Sequence, residues 1–219
     1  AGPVATQDPG GVWHRNYYAY ESVRPSSQAR IDGSKFFDIG TSNNELKFGF
    51  GYRHAGVNSE TAWAGNQYTV MFDDQGNGGV QLTRSHTTNF HYGVKYQDAY
   101  LGDTVQLGNL TVQGSVRYDS QTGRADAGSL GANPIIPELL PAVSWNAISG
   151  LKWTNISPRV GLTYKLGAAK RTLLRASYNR YSGKLGGSDV YQVSPGYNNY
   201  EYFYFNDLNG DRAAQRNEI

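Results

Sequence analysis

The sequence predicts an all-β protein, an antiparallel up-and-down transmembrane β-barrel segment of about eight strands in which short turns alternate with long loops. Three features lead there. Oily side chains recur at every second position in stretch after stretch, which is the period of a strand. Tyrosine occurs 17 times and glycine 27 times, with no cysteine. The connectors between the alternating stretches are strongly unequal in length.

The strands follow in order. "QARIDGSKFFDIG" (28–40) is the first candidate. "NELKFGFGYRH" (44–54) sets Leu46, Phe48, Phe50 and Tyr52 on one face and Glu45, Lys47, Gly49, Gly51 and Arg53 on the other. "QYTVMFD" (67–73) and "GVQLTRS" (79–85) alternate over fewer positions. "NFHYGVKYQD" (89–98) opposes Phe90, Tyr92, Val94 and Tyr96 to His91, Gly93, Lys95 and Gln97. "NLTVQGSVRYD" (109–119) opposes Leu110, Val112, Val116 and Tyr118 to Thr111, Gln113, Ser115 and Arg117. "PRVGLTYKL" (158–166) and "TLLRASYNRY" (172–181) continue the pattern, with Val160, Leu162, Leu174 and Tyr178 oily against Arg159, Lys165 and Arg175. In a soluble sandwich the oily face turns to a core. In an outer-membrane barrel lipid takes the oily face and the wet lumen takes the polar one. The barrel reading sends Leu46, Phe48, Phe50 and Tyr52 to lipid. It gathers Lys47, Arg53, Lys95, Arg117, Arg159, Lys165 and Arg175 around a lumen.

"LGAAK" (166–170), "LGDTVQLG" (101–108) and "DDQGNGG" (73–79) read as short connectors, while 55–66, 120–157 and 182–219 read as long ones. The very short connector at 86–88 breaks the alternation. Short turns on one rim and long loops on the other are the periplasmic and extracellular ends of such barrels. Loop 120–157 contains "ANPIIPELLPAVSWN", whose prolines forbid a regular helix. It reads as a lid folded on its own rim or as a wall that contacts a ligand.

Several function classes are disfavoured. A net charge of +2, from 20 basic and 18 acidic residues without a Lys/Arg run, argues against nucleic acid as a partner. No apolar run reaches the length of a transmembrane helix. "AGPVATQDPGG" shows neither the basic nor the apolar region of a signal peptide. His14, His54, His86 and His91 share no metal-ligand spacing. G-x-S-x-G and H-E-x-x-H are absent, and "GKLGGSD" (183–189) lacks the phosphate-loop spacing, so no enzyme is expected.

One stretch carries metal chemistry. "DLNGDRAAQRNE" (207–218) sets Asp207, Asn209, Asp211 and Glu218 at positions 1, 3, 5 and 12 of a calcium loop. Arg212 stands where the sharp turn wants glycine, so a solvated Asn-Gly-Asp turn stays open beside Ca2+. "YNNYEYFYF" (197–205) reads as an edge strand, an aromatic girdle, or a stacking surface for sugar rings or aromatic siderophores.

"YQDAYLGDTVQLGNLTVQGSVRYD" (96–119) resembles the strand–turn–strand of TonB-dependent outer-membrane receptors, and "ISPRVGLTYKLGAAKRTLLRASYNRYSG" (156–183) is similar to their next hairpin. "NNELKFGFGYR" and "FNDLNGDRAAQRNE" are similar to the Oar-like branch of that family. The resemblance implies residence in the outer membrane of a Gram-negative bacterium. Its implied partners are membrane lipid, the remainder of the barrel and a plug, TonB through a part outside this chain, and a ligand of unknown identity. Residues 1–219 would then be an internal portion of a 22-stranded barrel, with no plug domain of their own. The competing reading is a soluble all-β calcium-binding surface adhesin or self-assembling structural domain, in which the oily faces form a core.

Overall fold

The computed structural model describes residues 5–8, 10–15, 18–63, 68–72, 78–83, 87–132, 137–167, 171–194, 200–206, 208–209 and 216–219. In chain order the strands are β1 (Ala5–Gln7), β2 (Trp13–His14), β3 (Tyr18–Val23), β4 (Ser26–Ile39), β5 (Ser42–Trp63), β6 (Tyr68–Phe72) and β7 (Gly78–Thr83). They continue with β8 (Thr87–Leu107), β9 (Leu110–Ala125), β10 (Gly128–Leu130), β11 (Val143–Trp145), β12 (Ile148–Leu166), β13 (Thr172–Asn179) and β14 (Tyr200–Phe205). A six-residue helix, α1 (Gly187–Gln192), lies between the last two.

The main sheet is an antiparallel half-barrel in the order β13-β12-β9-β8-β5-β3, with β4 also on β5. β3 and β4 share one flank of β5, facing Asn58–Trp63 and Ser42–Ala55 respectively. The edge is interrupted at Pro25, which has no N–H to give. Its carbonyl still accepts the Gly56 amide at 2.9 Å. β5, β8 and β12 run for 22, 21 and 19 residues. About ten tilted residues match the thickness of a bilayer, so each of these strands is roughly twice that length.

Three hairpins turn back at one rim. Gly40-Thr41 joins Ile39 to Ser42 and Gly108-Asn109 joins Leu107 to Leu110, each in two residues. In the third, Leu166 of β12 pairs with Thr172 of β13 and Gly167 follows Leu166. All three glycines have positive φ, which glycine adopts without strain. The chain leaves β5 at Trp63, β9 at Ala125 and β13 at Asn179 on the opposite rim.

Several expected boundaries move. Residues 101–107 continue β8, because their oily members keep the strand period and the turn is the Gly108-Asn109 pair alone. β5 runs through most of 55–66, and β9 and β12 extend into both ends of 120–157. β6 and β7 are too short to cross a bilayer. They form a hairpin in a second sheet, β14-β7-β6-β1-β2, where β1 runs parallel to β6. Thr87 and Thr88 already belong to β8, opposite Ala62 and Thr61. The apparent break in loop alternation at 86–88 therefore marks the foot of this excursion.

The convex face is oily and uncovered. Phe48, Phe50, Leu101, Val116, Val160, Leu162 and Leu174 are all exposed, with no second sheet over them among the described residues. β8 departs from expectation near the long-loop rim. Arg53 faces Tyr96, and Tyr96 faces Gln121. Directly paired residues share a face, so Phe90, Tyr92, Val94 and Tyr96 lie on the concave side. Lys95 and His91 take the convex side, which removes Lys95 from the expected lumen set. The aromatics turn inward because they find partners there: Val94, Ala125, Leu185 and Val190 form a small core at the outer mouth, each no more than 2% exposed.

Candidate functional site

The concave face holds a cavity of about 620 Å³, walled by β4, β5, β8, β9 and β12 and roofed by residues 181–184. Across its floor runs a ladder of charges. Arg30 grips Asp32 with two nitrogens, at 2.7 and 3.0 Å, and the Tyr100 hydroxyl donates to the same carboxylate at 2.8 Å. Arg117 bonds Asp119 at 2.9 Å and reaches Asp98 at 3.3 Å. Arg30 approaches Asp98 from the other side at 3.7 Å. The Asp98 Oδ1 atom is buried and accepts no well-aligned hydrogen bond. Among the described residues its charge is balanced by these two guanidiniums.

The glycines of β5 make this ladder fit. A Cβ on Gly49 would overlap Asp32 and the Tyr100 ring, and one on Gly51 would overlap the Asp98 carboxylate. The alternation Lys47-Gly49-Gly51-Arg53 therefore leaves two bare positions facing the salt-bridge network of neighbouring strands.

Three further cations line the cavity with no carboxylate partner among the described residues. Each lies over an aromatic ring: Arg53 and Lys184 over Tyr96 at 5.9 and 4.8 Å, and Arg159 over Tyr181 at 4.8 Å. Such contacts stabilise a cation modestly.

The roof is a strap, residues 181–194, folded from the long-loop rim into the mouth. Gln121 holds it with both ends of its amide. Its Nε2 donates to the Gly183 carbonyl at 3.1 Å and its Oε1 accepts the Leu185 amide at 2.6 Å. The Tyr96 hydroxyl donates to the Leu185 carbonyl. α1 follows, with the Asp189 carboxylate accepting the Gly186 amide at 2.7 Å. Tyr191 meets the Phe90 ring edge-on at 5.0 Å. A sequence reading that stops at loop versus strand misses this strap. Its one legible sign is Leu185 and Val190 standing as isolated oily residues in a glycine-rich polar run.

Of the inward cations expected from the sequence, Arg53, Arg117 and Arg159 meet in this cavity. Lys47 lines a neighbouring hollow toward the short-turn rim, and Arg175 a third. In the calcium stretch, Asp207 and Asp211 lie outside the described residues. Glu218 is buried, and its carboxylate accepts the Leu208 amide at 3.0 Å while its carbonyl accepts the Asn206 amide at 2.9 Å. Among the described residues no three acidic, histidine or cysteine side chains come within reach of one metal ion. Of the tyrosine-rich stretch, residues 197–199 lie outside the described residues and Tyr200–Phe205 form β14, an edge strand paired with β7, on which Tyr204 is almost fully exposed.

A half-barrel with an oily convex face, a charged concave face and sorted loops matches one family. The model for the TonB dependent receptor-like β-barrel covers residues 5–217. The chain belongs to that family. No curated protein and no solved structure matches it. In TonB-dependent receptors short turns lie on the periplasmic rim and long loops on the extracellular one; here the Gly40-Thr41 and Gly108-Asn109 turns share one rim and the strap stands at the other. The open backbone edges of β4 and β13 are positions where a closed barrel continues its ladder.

Proposed function

We propose that this chain is part of the wall of an outer-membrane receptor of a Gram-negative bacterium that captures a ligand at the cell surface for energised uptake. The observation that carries the reading is the division of one sheet into two environments. Phe48, Phe50, Leu101 and Val116 lie bare on the convex side, and the Arg30–Asp98–Arg117 ladder lies on the concave side. A wall between lipid and a wet lumen accommodates both. A soluble adhesin would need its oily face covered.

The ladder fixes neighbouring strands by charge pairs that a dry core would penalise. The strap narrows the mouth above it. A ligand entering from outside would meet Lys184, Arg53 and Arg159 first. Release inward would fall to a plug and to TonB, supplied outside these residues. We read the protein as Oar-like on the two stretches that resemble that branch. The 207–218 loop remains a calcium candidate, tested by whether terbium luminescence saturates at this loop and is lost in Asp207→Ala.

The deciding experiment is the intact mass and fractionation of the natural protein. A species several times 24.1 kDa, released from membranes only by detergent, supports the receptor. A 24.1 kDa species in the aqueous fraction overturns it.

A further inference from the structure

We infer that the cavity beneath the strap is a binding site for a small, multiply charged anion bearing carboxylate or phosphate groups. The inference rests on the receptor reading and names its ligand class.

Arg30, Arg53, Arg117, Arg159 and Lys184 line the cavity against two carboxylates, Asp98 and Asp119. Both carboxylates are already engaged by Arg30 and Arg117. Among the described residues Arg53, Arg159 and Lys184 meet aromatic faces and no carboxylate. A ring contact occupies the flat side of a guanidinium and leaves its N–H fork free to donate. That fork matches the two oxygens of a carboxylate or phosphate. An excess of one sign in a cleft raises the local concentration of the opposite ion. At about 620 Å³ the space falls in the range of small-molecule pockets.

The strap makes the site composite. Lys184 belongs to it, while Arg53 and Arg159 belong to β5 and β12. Lys184 lies one residue from both strap groups that Gln121 holds, the Gly183 carbonyl and the Leu185 amide. An anion bridging Lys184 and Arg159 would therefore tie the strap to the wall beside the bonds that Gln121 already makes.

The test is calorimetric titration of the full-length receptor in detergent with inorganic pyrophosphate and, separately, citrate, at low and at physiological salt. At least one is expected to bind, more weakly as salt rises. Arg159→Gln and Lys184→Gln should each weaken binding by about tenfold or more. Lys165→Gln, on the same wall beside the short-turn rim, should leave it unchanged. Binding of pyrophosphate alone assigns a phosphate headgroup, and binding of citrate alone a carboxylate. If an outer-membrane protein binds neither anion, or binds equally in both cavity variants, the site is overturned while the receptor reading stands. If the protein proves not to reside in the membrane, the receptor reading falls first.

Discussion

Gly51 faces Asp98 across the β5–β8 pair, and a Cβ on Gly51 would occupy the space of the Asp98 carboxylate. The carboxylate cannot swing freely aside, because Arg30 and Arg117 flank it. Gly51→Val should therefore cost about 1–3 kcal/mol through overpacking. Urea unfolding of the receptor in detergent measures it. Gly114, where no atom lies within 4 Å of an added Cβ, is the control, and Gly114→Val should change stability by less.

Gln121 bonds the strap through both ends of its amide. Gln121→Leu removes both bonds and leaves the Leu185 amide without its acceptor, at a cost of about 1–3 kcal/mol. The loss is local, because the strap adds no rung to the main sheet. Hydrogen exchange should speed up through residues 183–194 while β9 and β12 amides stay protected. Equal deprotection of the strands would mean that the strap is integral to the wall.

The wall was legible in the sequence because its period of two is a local property. Val112, Val116, Val160 and Leu162 declare their face without reference to other strands. What stayed hidden depends on which strand lies opposite. Phe90, Tyr92, Val94 and Tyr96 carry the same oily alternation, yet they face inward. Above the membrane band the oily face follows whichever partner covers it, here Leu185 and Val190. Periodicity gives two faces and does not label them. Strand ends were blurred for a related reason: Gly102 and Asp103 have turn composition, yet both sit in full register between β5 and β9. The charge cluster was legible as residue types on one face. Its division into paired and carboxylate-free cations is a matter of cross-strand distances, which no single strand encodes.

Val116 and Gln113 lie on opposite faces of β9. Val116 is six residues beyond Leu110, about 14 Å above the turn for a strand rising ~3.3 Å per residue at a 45° tilt. That depth is close to the middle of the bilayer. Val116→Arg should cost about 2–4 kcal/mol in unfolding from lipid vesicles. Gln113→Lys, toward the lumen, should stay within about 0.5 kcal/mol of the parent. Equal sensitivity at both positions would count against a lipid-facing convex side.

Asp98 and Arg117 give the sharpest energetic test of the ladder. Asp98 is the shared anion of two guanidiniums, so Asp98→Asn leaves Arg30 and Arg117 facing each other across an uncharged amide. Breaking a fully buried pair from one side costs about 3–5 kcal/mol. Arg117 keeps a third of its side chain exposed, and solvent screening lowers the expected loss to about 1–3 kcal/mol. Arg117→Leu alone should also destabilise, because Asp98 then keeps only the longer 3.7 Å approach of Arg30. The double variant Asp98→Asn with Arg117→Leu should lose less than the sum of the two single losses, since the Asp98–Arg117 pair is broken only once, while the loss of the Asp119 partner is common to both variants that lack Arg117. A double-mutant cycle by urea unfolding reads the coupling directly. A coupling of zero would mean that the two side chains do not support each other, and that the floor of the cavity is held by the strand ladder alone.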